Sequence, residues 1–239
     1  MIWRLLLAHV ITDFFLQTKV GINNKIKVTT NLTHSLILLV VSTVFFVDLI
    51  SIRLLLMLLS ISVLHGGIDL GKARLLRISE GNWNWLLFIV DQLLHLGSIL
   101  LALYLFFPGY WDTLSRTLTL LTVTVDWYKF GVFFILITLG GSYFTDAVCK
   151  KFRMQLRNSD QDIDYSLKDA GKYIGILERI IVAVSILIGR FELIGFLIAA
   201  KSIIRHSENK GKDFTEYYLI GTFTSFLWAG IFTYLYLIL

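Results

Sequence analysis

Ile52–Lys72 reads IRLLLMLLSISVLHGGIDLGK, and its two halves set both the fold and the problem. From Ile52 to Leu64 the only charge is Arg53, at the very start. Coiled as a helix at about 1.5 Å per residue, the segment Ile52 to Gly71 is long enough to cross a bilayer's hydrocarbon core of about 30 Å. The second half nevertheless carries His65 and Asp69, and Lys72 follows one turn later. An ionisable side chain within a span costs about 2.5–3.5 kcal/mol even on the lenient insertion scale. Such groups pair with one another, hold an ion or line a watery cavity.

Working outward, the rest of the chain repeats this apolar character. Of 239 residues 56% are hydrophobic and 16% charged, with a single proline, and the mean hydropathy is +0.73. A soluble domain would be about a quarter charged. So little polar surface could not cover the exterior in water, whereas a bilayer lets helices stay apolar on their outer faces. Eight segments have the length and character of spans: 2–18, 32–50, 52–71, 84–107, 128–148, 172–189, 191–204 and 215–238. The expected fold is an all-α, polytopic transmembrane bundle. Tight connections are expected at Asp48–Arg53 and Gly189–Glu192, and 109–127 reads as an interfacial or re-entrant piece around Leu118–Val125. A four-span front domain, 1–125, precedes a C-terminal helical membrane region, 126–239. Within that region the polar stretch 149–171 reads as a solvated cytoplasmic linker. Its Asp160, Asp162 and Asp164 alternate, but the glycine and glutamate of a calcium loop are missing.

Lys and Arg give the orientation. Strict alternation of the eight segments puts sixteen of them on one side, five on the other, and Arg179 within a span. By the positive-inside rule the sixteen face the cytoplasm, so both termini lie outside it. Trp3, Trp111 and Trp127 fall near the outer interface and Trp83 and Trp85 near the inner one, while Trp228 sits well inside the last span. The net charge of +5 is thereby accounted for by lipid orientation rather than by nucleic acid. Cys149, the only cysteine, excludes an intramolecular disulfide and any CxxC motif, and beside Lys150 and Lys151 it reads as a reduced thiol at the cytoplasmic boundary. The first apolar run is interrupted by His9, Thr12, Asp13 and Gln17 and is expected to stay in the mature protein.

The chemistry is concentrated in the first four segments. His9 and Asp13, His65 and Asp69, and Asp91 and His95 are each four residues apart, which puts each pair on one helix face. His34 opens the second segment, and His206 lies in a basic loop. At about 1.5 Å per residue, His9, Asp13, His65, Asp69 and Asp91 fall within about 13 Å of the cytoplasmic ends of their spans and His95 about 17 Å in. Three chemistries fit such a layer. Imidazole nitrogens and carboxylate oxygens suit a divalent transition metal, with zinc, manganese and iron all open in the absence of thiolate. The same groups could relay protons or ions. Interhelical hydrogen bonds could simply hold the bundle together, although these average only about 0.6 kcal/mol in membranes. In the metal reading His9, His34, His65 and His95 are ligands together with Asp69 or Asp91, and Asp13 is the general base. Lys72, the other catalytic candidate, either neutralises Asp69 one turn before it or contacts a phosphate. Gln17 and Gln92 hydrogen-bond the ligands, and Gly66 and Gly67 permit close helix approach.

The rear half has a second charged set. Glu178 and Arg179 lie within one segment, Lys201 and Arg205 end another, and Glu216 opens the last. Buried ion pairing is the plainer account, and an anionic lipid headgroup at Lys201 and Arg205 the alternative. Asp146 is close enough in sequence depth to join either set.

Four stretches together carry a resemblance: AHVITDFFLQT (Ala8–Thr18), His34, HGGIDLGK (His65–Lys72) and DQLLH (Asp91–His95). They resemble the bacterial membrane family called domain of unknown function 3307, over roughly residues 1–125. IGILER (Ile174–Arg179), AAKSIIR (Ala199–Arg205) and EYYLIGTFTS (Glu216–Ser225) look like the region that follows in longer members, which extends the expected match to nearly full length. Leu38 departs from some relatives, which carry a histidine there. The resemblance implies a multi-pass protein of the bacterial cytoplasmic membrane and leaves its activity open. A looser similarity links the intramembrane His and Asp to membrane-embedded metal-dependent hydrolases. The function expected is hydrolysis of a lipid or amphiphilic substrate; a proton- or ion-coupled transporter and a non-catalytic scaffold are the alternatives.

Overall fold

The computed structural model describes residues 1–16, 28–78, 83–110, 126–158, 170–206 and 212–239. Gln17, the re-entrant reading of 109–127 beyond Tyr110, Trp111, the three alternating aspartates and the Arg205 side chain lie outside the described residues, as does the Gln17 contact expected at the site. The described residues are all-helical, without strands. They form two compact units, Met1–Val132 and Phe133–Leu239.

In the first unit α1 (Ile2–Val10) runs on through a wide π-helical turn, Ile11–Phe15. It is followed by α2 (Val28–Phe45), α3 (Ile52–Ile78) and α4 (Asn84–Phe106), and α1 packs on α2 and α4, α2 on α3, and α3 on α4. The tight connection expected at Asp48–Arg53 is there: a short 3-10 turn, Val47–Leu49, leads to Ser51, whose Oγ accepts from Leu54 N at 3.2 Å. Ser51 thus caps α3 through one of its otherwise unpaired first-turn amides. Arg4 closes the same end by donating to Asp48 Oδ1 at 2.5 Å and to Phe45 O at 3.1 Å.

In the second unit, α5 (Trp127–Ile135), a π turn (Leu136–Gly140) and α6 (Gly141–Asn158) follow without a break, and the unit boundary falls inside α5. Helices α7 (Ala170–Leu187), α8 (Glu192–His206) and α9 (Lys212–Ile238) complete it. α6 corrects the linker reading, because helix continues through the first ten residues of 149–171. Lys150, Lys151, Arg153, Met154, Gln155 and Leu156 are strong helix formers, and polarity ended the apolar run without ending the helix. The expected turn between α7 and α8 is a Schellman cap. Gly189 takes φ +69, its N–H donates to Ile186 O, and Arg190 N donates to Ser185 O.

Among the described residues, four helices are long and apolar enough to cross a membrane: Ile52–Ile78, Asn84–Phe106, Trp127–Leu156 and Asp213–Ile238. Thr29–Phe45 is a shorter apolar helix. Large apolar side chains cover their outsides, among them Val63, Leu93, Phe223 and Leu227, each more than half exposed. Water would penalise such a surface, and lipid would not.

What matters for the site is the order of residues along the buried stripes of the first unit. Stepping one turn at a time, α1 buries Leu5, His9 and Asp13, and α3 buries Ile61, His65 and Asp69. The antiparallel neighbours give the same layers in reverse: Asn31, His34 and Leu38 on α2, and Asp91, His95 and Ile99 on α4. Leu5, Leu38, Ile61 and Ile99 belong to one apolar core with Phe46, Met57 and Leu103. Leu38 is therefore part of that core, 2% exposed, rather than a gap among the ligands. Above the apolar layer lies a layer of four histidines, and above that a layer of three carboxylates and one amide.

Candidate metal centre

The six residues paired by sequence spacing meet, and His34 joins them. His65 and His95 are 1% exposed, Asp69 0% and Asp91 2%, with His9, Asp13 and His34 also buried. His34 Nε2 lies 3.1 Å from Asp13 Oδ1, and His65 Nε2 lies 3.3 Å from the same oxygen. Asp69 Oδ2 lies 3.6 Å from His34 Nε2 and 3.7 Å from His65 Nε2, while its Oδ1 is 3.7 Å from His95 Nε2. The within-helix pairs are at similar range: His9 to Asp13 3.8 Å and His95 to Asp91 3.5 Å. The rings of His65 and His95 stack with centroids 4.1 Å apart.

These separations are informative because most are too long or too poorly aligned for hydrogen bonds. His65 Nε2 and both nitrogens of His95 are buried without a hydrogen-bond partner, and so is Asp91 Oδ1. Buried donors and acceptors are normally satisfied, since an unmet one costs about 1–3 kcal/mol. Ligands held tetrahedrally at about 2.0–2.1 Å from a zinc-sized ion lie about 3.3 Å from one another. The nitrogen–oxygen separations of 3.1–3.8 Å bracket that value. Three overlapping sets have all their ligand atoms within 4.8 Å: His9, His65 and His95; Asp13, His34 and His65; Asp13, Asp91 and His95. The donor set fits a divalent cation.

Local sequence explains how each group is aimed. Asp13 sits in the π turn that widens the end of α1, and Thr12 ties back to Ala8 O at 2.8 Å. Gly66 lets α2 and α3 approach, because a Cβ there would stand 2.5 Å from Ser35 Oγ. Asn31 uses that proximity to donate to Gly66 O at 2.6 Å. Gly67 faces open space, so only the first glycine of the pair serves the approach. Lys72 donates to Asp91 Oδ2 at 2.6 Å, across from Phe88, and it neutralises Asp91 rather than the Asp69 of its own helix. Gln92 donates to Asp91 Oδ2 at 3.1 Å and to Asp13 Oδ2 at 3.4 Å, as expected of it. Sequence reasoning missed Asn31 and the π turn; the first lies one turn from His34 and could have been found by spacing, the second leaves no compositional trace.

Of the rear charged set, Glu178, Lys201 and Arg179 are satisfied within the second unit. Lys201 Nζ lies 2.7 Å from Glu178 Oε2, with Tyr218 and Phe226 under the ammonium. Arg179 donates to Ile137 O, Thr138 O, Ser142 Oγ and Ser225 Oγ at 2.5–2.9 Å. Two of those acceptors are carbonyls of the π turn Leu136–Gly140, and a third, Leu136 O, accepts from Trp228 Nε1 at 2.8 Å. This explains a tryptophan so far inside the last helix. Asp146 pairs with Arg153 and joins neither set.

Comparison with curated proteins and with solved structures finds no match. A family model described as "Protein of unknown function (DUF3307)" matches residues 1–124, which carry all seven clustered groups, and the match covers about half the chain rather than nearly all of it. By that match the chain belongs to the DUF3307 family.

Proposed function

We propose that this protein is an integral membrane, metal-dependent hydrolase of a lipid or amphiphilic substrate, with its His/Asp centre near the cytoplasmic leaflet. The observation that carries the reading is the convergence of four imidazoles and three carboxylates, buried, with histidine nitrogens that lack hydrogen-bond partners. His9, His34, His65 and His95 are the metal ligands together with Asp69 or Asp91. Asp13, cast as the base on sequence grounds, has an oxygen among the histidine nitrogens and acts first as a ligand. A bound divalent ion supplies Lewis acidity and a nucleophile at neutral pH. Lys72 and Gln92 orient Asp91, as partners behind a ligand do, and the partly exposed Lys72 ammonium can meet an anionic headgroup.

The arrangement favours chemistry over conduction. A relay needs polar groups on both sides of the histidine layer, but one side is closed by Leu5, Leu38, Ile61 and Ile99 within a continuous apolar core. Orientation follows the basic loops: eight spans, both termini outside the cytoplasm, and Lys201 and Arg205 at the cytoplasmic interface.

Elemental analysis of detergent-purified protein tests the reading. Wild type should retain zinc, manganese or iron, and His65→Ala and Asp91→Ala should lose it. Well-folded wild type that binds no ion even after metal is supplied would exclude the metalloenzyme. Retained metal justifies screening phospholipids and isoprenoid phosphates, with hydrolysis abolished by chelator and restored by the same ion.

A further inference from the structure

The two oxygens of Asp13 serve different histidines. Oδ1 lies 3.1 Å from His34 Nε2 and 3.3 Å from His65 Nε2, whereas Oδ2 faces His9 Nε2 at 3.8 Å. Asp69, on another helix, divides in the same way. Its Oδ2 faces His34 and His65 at 3.6 and 3.7 Å, and its Oδ1 faces His95 at 3.7 Å. Two carboxylates from separate helices thus each set one oxygen against His34 and His65, and turn the other to His9 (Asp13) or His95 (Asp69), whose rings lie 4.9 Å apart and make the second pair. Asp91 Oδ1 adds to the second pair through His95 at 3.5 Å, its other oxygen being held by Lys72 and Gln92.

A single ion gives no reason for this division, and seven donors exceed one tetrahedral shell. A carboxylate whose two oxygens look to two nitrogen pairs is the bridging group of a two-metal site, in which ions stand about 3.5–4 Å apart. The unpartnered Nε2 atoms fall one in each pair, on His65 and His95, both 1% exposed.

We propose that the cluster is a dinuclear centre, with one divalent cation held by His34 and His65, a second by His9, His95 and Asp91, and Asp13 and Asp69 bridging the two. The proposal rests on the metal reading above and specifies it. His9, His65 and His95 are also close enough to share one ion, and that arrangement is the alternative to be decided.

The test is manganese loading of the full chain in detergent, counting ions per chain after desalting and recording the electron paramagnetic resonance spectrum. Two ions per chain with an exchange-coupled spectrum is the expected result. His34→Ala and His9→Ala, checked for folding by size exclusion and thermal melting, should each fall to one ion with the hyperfine pattern of isolated manganese. One ion per wild-type chain, magnetically isolated, overturns the dinuclear centre and leaves the metal site standing. No retained manganese overturns both. Wild type alone separates these outcomes, so a variant that fails to fold does not blunt the test.

Discussion

Lys72 and Asp91 form a 2.6 Å ion pair in which the carboxylate is 1% exposed and the ammonium 21%. Lys72→Met strands the carboxylate. Losing one partner of a fully buried pair costs about 3–5 kcal/mol, and the wetter lysine puts this variant at about 2–3 kcal/mol. Thermal melting without metal should read the loss, and added metal should recover part of it by supplying another counter-charge to Asp91. The two neighbouring glycines differ as sharply. Gly66→Ala sets a methyl 2.5 Å from Ser35 Oγ, which must turn and give up its bond to Asn31 O, at a cost of about 0.5–1.5 kcal/mol of stability. Gly67→Ala meets nothing within 4 Å and should melt no lower than wild type, helix propensity favouring it by about 0.5–1 kcal/mol. Spacing alone made the site readable at this scale, because residues four apart on a helix must share a face. It could not show that Asp13 reaches His34 and His65 on other helices, since helix–helix rotation is decided by which residues pack. Nor could it separate Gly66 from Gly67, which differ only in which way they face.

At the scale of elements, the described residues of each unit contain one π turn, and each turn has a purpose in side-chain contacts. In α1 it carries Asp13. In the second unit it presents the carbonyls of Leu136, Ile137 and Thr138 to Trp228 and Arg179. A guanidinium suits this task because its planar fork offers five donors in fixed directions. Arg179→Lys keeps the charge but not the fork, and Arg179→Met removes both. Both should destabilise the protein, Met by about 2–5 kcal/mol and Lys by less, read as a lower melting temperature, and hydrogen exchange should rise at Leu136–Gly140. Gly141→Ala acts from the other side, its methyl meeting Arg179 Cδ and Nε at 2.7 Å. The hairpin turns were legible because Gly189 and Ser51 are residues that the turn chemistry demands. The extension of α6 to Asn158 was not, because hydropathy marks where a membrane ends and says nothing about where a helix does.

For the whole molecule, the basic loops make a claim that labelling can check. In a Cys149→Ser background, cysteine placed at Ser51 or Arg190 should react with a membrane-impermeant maleimide added outside intact cells. Cysteine at Ile78 should react only after the membrane is opened. The reverse pattern would invert the assigned orientation and move the His/Asp centre to the opposite leaflet.

The apolar floor of Leu5, Leu38, Ile61 and Ile99 has a consequence for traffic. If the centre hydrolyses an amphiphile as proposed, the apolar floor makes it a cul-de-sac: substrate would reach the histidines from the carboxylate side and products would leave the same way. Of a cleaved amphiphile, the water-soluble fragment would be delivered to the compartment from which the headgroup dipped in, and the greasy remnant would stay in the sheet it came from. Molecules parked in the opposite sheet would be invisible until something turned them over. Turnover would then depend on the rate of that flipping as much as on the chemistry at the His/Asp centre.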